Sequence, residues 1–154
     1  PRLRMPGGAR LEFNLTTTAD IALVGISLES PLGVDCERVR PRREMMAVAR
    51  RMFAPPTVAE LTRLPELRRL AAFYRAWTAL ESDAKADGRG LFRARPPGAR
   101  PPEILHAVPA AGHIAAVARE RLPPVKAWLA LDLVWPPSAD QTMAGQRPPR
   151  VSAN

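Results

Sequence analysis

The sequence predicts an α+β fold in which a small antiparallel sheet packs on one long helix. Three observations predict it. The run Ile21 to Leu28 (IALVGISL) is β-rich and almost wholly apolar, as a buried strand requires. Between Glu66 and about Asp87, Leu67, Leu70, Tyr74, Trp77, Glu81 and Ala84 recur at steps of three and four, the spacing of one helix face, and Gly88 closes the pattern. Beyond Leu91, short β-rich segments return between Pro-Pro pairs.

Composition sets the outer bounds. With 154 residues, 46% of them hydrophobic and 25% charged, the chain is long enough to bury a core and too apolar for wholesale disorder. No apolar run approaches the ~20 residues that cross a bilayer, and no signal-peptide h-region opens the chain, so no membrane association is expected. Cys36 is the single cysteine, which excludes an intramolecular disulfide or a cysteine-based zinc site and makes a reducing, cytoplasmic compartment the expectation. The net charge is +8, and 21 of the 23 basic residues are Arg. Such a skew follows from G+C-rich codons, so each Arg alone says little, whereas Lys85 and Lys126 stand out. Proline, at 18, is about twice its average frequency. The chain starts at Pro1, which reads as a fragment or a processed product.

Taken in order, Pro1 to Arg10 is basic, rich in Gly and Pro, and reads as loop. Leu11–Leu15 alternates as a short strand, followed by the polar run Thr16–Thr18. Ile21–Leu28 and Leu32–Glu37, separated by the turn Glu29-Ser30-Pro31, are expected to pair as an antiparallel hairpin. Six Arg and one Glu lie between Arg38 and Arg51; after Pro41, Met45, Val48, Ala49, Met52 and Phe53 give a basic amphipathic helix, stopped by Pro55-Pro56. A short helix is expected over Thr57–Arg63 and the long one from Glu66. After a loop from Arg93 to Glu103, strands are expected at Ile104–Val108, His113–Ala118 and Val125–Val134, the last with the strongest pattern. From Pro136 the chain is polar and without period, which reads as a disordered tail.

The chemistry concentrates in two places. Asp35 and Glu37 stand two apart on a strand, so both leave one face while Val34 and Cys36 leave the other. Two carboxylates that close repel unless a cation, solvent or a shared proton relieves them, and an oxygen-only pair suits Mg²⁺. A bare D-x-E is more often an ordinary solvated strand face. Glu81 lies on the apolar stripe of the long helix, where an ionised carboxylate is costly to desolvate, with Lys85 one turn on; the two also read as an ordinary surface pair. Together they suggest Mg²⁺ and a placed Lys acting on a phosphate or pyrophosphate. No P-loop or dinucleotide glycine motif is present. His106 and His113 match no ligand spacing with each other and read as structural.

At this point the residues resemble the 4′-phosphopantetheinyl transferases, in the two-lobed branch that activates carrier proteins. Phe13-Asn14-Leu15-Thr16-Thr17-Thr18 is similar to that family's FNLSHS block, Gly33-Val34-Asp35-Cys36-Glu37 to its GVDIE block, and Trp77 to Leu91 to its WTxKEAxxKAxGxGL block. The resemblance is carried by about residues 11–91. It implies Mg²⁺-dependent transfer of 4′-phosphopantetheine from coenzyme A to a serine of an acyl or peptidyl carrier protein, leaving 3′,5′-ADP. By position it makes Asp35, Glu37 and Glu81 metal ligands, Glu81 alternatively the base for the serine, and Lys85 a phosphate ligand that offsets charge in the transition state. Thr16 and Thr17 would lie near the nucleotide of coenzyme A, and Trp77 would pack the helix. Thr17 stands where the family has His, and Leu80 where it has Lys before the Glu.

The same resemblance implies that residues 1–31 are the end of a first lobe, 32–135 the second lobe and 136–154 the tail, with most of the first lobe outside this chain. A homodimer that replaces it is compatible with that reading. Arg38–Arg51 fits a docking surface for an acidic carrier protein, with Met45, Met46 and Met52 as an adaptable apolar patch, and equally a solvated basic helix. The second reading is a non-catalytic module that docks an acidic partner. Nucleic acid is the weaker partner, since aromatics total 5% and no stacking motif is present.

Overall fold

A computed structural model describes residues 1–18, 20–28, 30–134 and 150–153. Two compact units are present, Pro1–Leu122 and Pro123–Asn154. The first runs β1 (Arg2–Arg4), β2 (Arg10–Thr18), β3 (Ile21–Leu28), β4 (Leu32–Arg38), α1 (Met45–Met52), α2 (Pro55–Arg63), α3 (Glu66–Asp87), β5 (Glu103–Ala107) and β6 (His113–Arg119). It is the α+β arrangement that the sequence predicts, with two three-stranded antiparallel sheets, ordered β1-β2-β3 and β4-β6-β5.

The hairpin expected between Ile21–Leu28 and Leu32–Glu37 does not form. β3 pairs instead with β2, from Leu11↔Leu28 to Thr18↔Ile21, and the Thr run extends that strand beyond Leu15. β4 pairs with β6, from Leu32↔Arg119 to Arg38↔His113. The reason lies at Gly25. A Cβ there would come within 2.6 Å of Val34 Cγ1 and 2.7 Å of Leu32 Cδ1, so β3 meets β4 face-on rather than edge to edge. The opposite face of β4 meets α3 as closely. A Cβ on Gly33 would overlap the Ser82 carbonyl oxygen and come within 2.5 Å of the Ala86 nitrogen. Leu32 to Cys36 are therefore all buried, as a strand covered on both faces requires.

α3 is the spine of the unit. Its bounds are those the periodicity predicts, and Gly88 caps it in the left-handed conformation, φ 71°. Its buried face differs from the expected stripe. Phe73, Tyr74, Thr78, Ser82 and Ala84 are buried, while Leu67 is 94% exposed, because the first turn carries it clear of the sheet. Thr78 and Ser82 satisfy their hydroxyls on the helix's own carbonyls, Tyr74 and Ala79, so both sit buried against β4 without an unmet donor. Phe73, Tyr74, Ala49 of α1, Leu61 of α2 and Ile114 of β6 form the core, with Met45, Met46, Phe53 and Trp77 packed on it. Of the three methionines expected to form an adaptable apolar patch, Met45 and Met46 are thus half-buried against this core. Arg69 ties α2 to α3 by donating to the Leu61 and Leu64 carbonyls at 2.9 and 2.8 Å.

In the second unit, the strand expected over Val125–Val134 is only partly formed. Pro123-Pro124 starts a 3₁₀ turn, Val125–Ala127, closed by Ala127 N–H on the Pro124 carbonyl at 2.8 Å, and Trp128 Nε1 donates to the Pro123 carbonyl. The strand shrinks to β7 (Leu131–Val134), which pairs with β8 (Arg150–Ala153). β8 falls where a disordered tail is expected; the rest of that tail lies outside the described residues.

Candidate active site

β4 is an edge strand of its sheet, and an edge leaves backbone groups without a ladder partner. Two side chains complete Val34. Its N–H donates to Asn14 Oδ1 of β2 at 3.2 Å, and its carbonyl accepts from Lys85 Nζ of α3 at 3.2 Å. The same ammonium reaches Asp35 Oδ1 at 2.7 Å, and Thr16 Oγ1 donates to that oxygen at 3.2 Å. Strand β2, edge strand β4 and helix α3 therefore converge on Asp35, whose side chain is 3% exposed.

The carboxylates crowd there. Glu81 Oε2 lies 3.9 Å from Lys85 Nζ, one helical turn away. Burial, followed by the Asp35 charge, pushes the Glu81 carboxyl up to about 7 against the pull of Lys85. Burial and then Asp35 also raise Glu37 above its ordinary value. Cys36, between them in sequence, is driven to about 11 by burial and by both neighbouring charges. Lys85 alone does not neutralise this cluster.

Asp35 Oδ2 is buried with no hydrogen-bond partner, a cost that a bound cation would remove. The donors are all oxygen, which suits a hard divalent ion. Among the described residues, no three His, Cys, Asp or Glu side chains are grouped as a closed ligand set. An ion here would be held by Asp35 and Glu81 and filled out by water and ligand oxygens. That is the open, partly hydrated coordination Mg²⁺ favours.

Two grooves are lined by residues of these elements. One of about 470 Å³ is lined by Asn14, Glu81, Lys85, Gly90 and Leu91, among others. The other, about 380 Å³, is lined by Thr18, Glu37, Arg38 and Arg40. Asp35, Glu81, Lys85 and Thr16 are thus brought together, whereas Glu37 opens into the second groove. Thr17 does not join them; it is exposed on the face of β2 opposite Thr16, as strand alternation dictates. Asn14 and Thr18 are functional candidates that the reading of side-chain chemistry missed. Both share the Thr16 face at a spacing of two, which was the available signal. Trp77 packs as expected, nearly parallel to Phe73 (12° between planes), with the Arg42 guanidinium 5.8 Å from its ring centre.

Comparison with known proteins bears on the same elements. The family model of the 4′-phosphopantetheinyl transferase superfamily matches residues 31–122, the span that contains β4, α3 and the Asp35–Lys85 pair. The chain is 37% identical over 79 residues to a Synechocystis protein with the provisional name 4′-phosphopantetheinyl transferase, the match covering 51% of this chain and 32% of that protein. It is 32% identical over 83 residues to the 4′-phosphopantetheinyl transferase HetI of Nostoc, covering 54% of this chain and 35% of that one. It is 36% identical over 86 residues to the 4′-phosphopantetheinyl transferase AcpT of Salmonella typhimurium, covering 56% and 45%. The chain therefore spans about a third to just under half of the length of the relatives it matches. With the motifs in the family's order and the family match running through every element that builds the site except β2, the chain belongs to the 4′-phosphopantetheinyl transferase superfamily.

Proposed function

We propose that this chain carries the site for Mg²⁺-dependent transfer of 4′-phosphopantetheine from coenzyme A to a serine of an acyl or peptidyl carrier protein. The observation that carries the reading is the convergence of Asp35, Glu81 and Lys85 beside a groove large enough for part of a nucleotide-linked substrate. Glu81, one helical turn from Lys85 at the groove, would take the serine proton as general base or, alternatively, complete the metal shell. The serine oxygen then forms the new bond to the β-phosphorus of coenzyme A, and the bond to the bridging oxygen breaks, so that 3′,5′-ADP leaves. Lys85 bears on the pyrophosphate oxygens as charge shifts to the leaving group, and Thr16 helps fix Asp35 by donating to its Oδ1. Mg²⁺ held by Asp35 and Glu81 would supply further charge neutralisation at the pyrophosphate. Glu37, which leaves the same face of β4 as Asp35 and is raised by its charge, is the third candidate ligand. The exposed Arg40, Arg42, Arg43, Arg50 and Arg51 provide a basic face for an acidic carrier protein.

The test is direct. The chain is incubated with an apo carrier protein, coenzyme A and Mg²⁺, and the carrier is weighed by mass spectrometry. A gain of one phosphopantetheine group, lost in Glu81→Gln, is expected; no gain at any concentration of chain overturns the reading. A second reading, a non-catalytic relative that docks an acidic partner, is favoured by Thr17 and Leu80 standing where the family carries cationic residues. It predicts salt-sensitive binding of the carrier with no mass gain.

A further inference from the structure

The last turn of α3 carries Asp83 and Asp87, one turn apart. This placement is unfavourable twice over: like charges at this spacing repel, and a helix C-terminus already bears partial negative charge. Both acids are instead occupied by the loop that follows. Arg89 Nη2 meets Asp83 Oδ2 at 2.5 Å, and Arg89 Nη1 meets Asp87 Oδ2 at 2.5 Å and donates to the Asp83 carbonyl at 3.1 Å. Arg95 Nη2 pairs with the remaining Asp83 oxygen, and its Nη1 donates to the Arg100 carbonyl at 3.3 Å. Each oxygen of Asp83 thus holds a different arginine, the two six residues apart in the loop, and the Arg89 and Arg95 side chains are only 13% and 22% exposed. An isolated surface pair would contribute little; a half-buried four-member network with each carboxylate oxygen engaged is another matter.

The segment between the two arginines contains Gly90 and Leu91, which line the groove shared by Glu81 and Lys85. Gly88 and Gly90 hold positive φ, 71° and 78°, so the chain turns sharply back towards the helix where a side-chain-bearing residue would resist. A loop of this kind loses conformational freedom when it is fixed, and the ion pairs are what offset that loss.

We propose that Asp83 is a positioning residue of the site: by clasping Arg89 and Arg95 it holds Gly90 and Leu91 as a wall of the groove opposite Glu81 and Lys85. Asp83 itself touches neither the groove nor the reacting atoms. Its kinetic consequence rests on the transferase reading; its structural consequence does not.

Three variants test it: Asp83→Asn, which keeps the shape and loses the charge; Asp83→Glu, the conservative rescue; and Arg95→Gln, which opens the clasp from the loop side and leaves the helix intact. Limited trypsin digestion, read by mass spectrometry, reports the clasp without reference to activity. Cleavage after Arg89 and Arg93, loop arginines not followed by proline, should speed up about tenfold in Asp83→Asn and return towards wild type in Asp83→Glu, about one ion pair's worth of opening. In the transfer assay, KM for coenzyme A should rise about tenfold in Asp83→Asn and Arg95→Gln with kcat within about twofold of wild type. Faster digestion with an unchanged KM would make the clasp merely structural, and a changed KM without faster digestion would mean that Asp83 acts by another route; either overturns the proposal. If the wild-type chain transfers nothing, the transferase reading falls by itself, and the coenzyme A dissociation constant from equilibrium dialysis replaces KM in the same comparison. A wild type that neither transfers nor binds coenzyme A overturns both.

Discussion

Lys85 Nζ lies 2.7 Å from Asp35 Oδ1 and 3.2 Å from the Val34 carbonyl, so one ammonium holds both a buried carboxylate and the open edge of the strand that carries it. Lys85 is therefore part of the fold as well as of the proposed chemistry. Lys85→Met should destabilise the chain by about 1–3 kcal/mol, less than a fully buried pair because the lysine side chain is 32% exposed. Adding Asp35→Asn should recover part of that loss, since the orphaned charge is then gone. Urea denaturation of the two single variants and the double variant checks this; strictly additive effects would contradict the pairing.

Glu81 gives the metal-free chain a pH signature. Its carboxyl is raised from 4.5 to about 7 in the folded state, so between those values the native state binds more protons than the unfolded one. Its contribution to stability is full below about pH 4.5 and is lost as pH rises through about 7. Glu37, raised in the same direction, acts with the same sign. In buffer with a chelator, Glu81→Gln should therefore be more stable than wild type at pH 8, by on the order of 1–3 kcal/mol, and about equal at pH 4.5. Thermal melts across pH measure it.

The same carboxyl sets the expected rate profile. If Glu81 takes the serine proton, kcat should rise with pH as that carboxyl ionises, and Glu81→Gln should lower it by about 10²–10⁴ and flatten that limb. A profile unchanged in Glu81→Gln would assign the proton to another group.

Gly33 is where β4 touches α3. Gly33→Ala should destabilise the chain by about 3 kcal/mol or more, because the new methyl overlaps the Ser82 carbonyl and the amide of Ala86, backbone atoms that have no rotamer to yield. Gly25→Ala meets side-chain rather than backbone atoms, Val34 Cγ1 and Leu32 Cδ1, and should cost less. Chemical denaturation of the pair distinguishes them.

Cys36 should be inert. It is buried, and burial with Asp35 and Glu37 nearby pushes its thiol to about 11. A thiol-specific reagent at neutral pH should label it at a negligible rate in the folded chain and rapidly in urea.

Much of this was legible in residues alone. The bounds of α3 follow from local signals, namely an apolar period, Pro65 before it and Gly88 after it, and local signals survive tertiary context. The pairing of Glu81 with Lys85 follows from the same period. Pairing across the sheets was not legible. Ile21–Leu28 and Leu32–Glu37 look like a hairpin because they are adjacent and apolar, yet Gly25 admits β4 across its face and removes that pairing. Likewise Leu67 fits the helical stripe but is left exposed.

The sequence by itself determined the fold class, the long helix and the identity of the acids and the lysine, because each depends on spacing within one element. Only the tertiary structure decided which acids meet. It sets Lys85 on Asp35 across fifty residues of chain, turns Glu37 towards a different groove and Thr17 away, and spends Asp83 and Asp87 on the loop arginines. The physical reason is that a strand or helix fixes only which side its residues leave, while the packing of β2, β4 and α3 fixes what stands on that side to receive them.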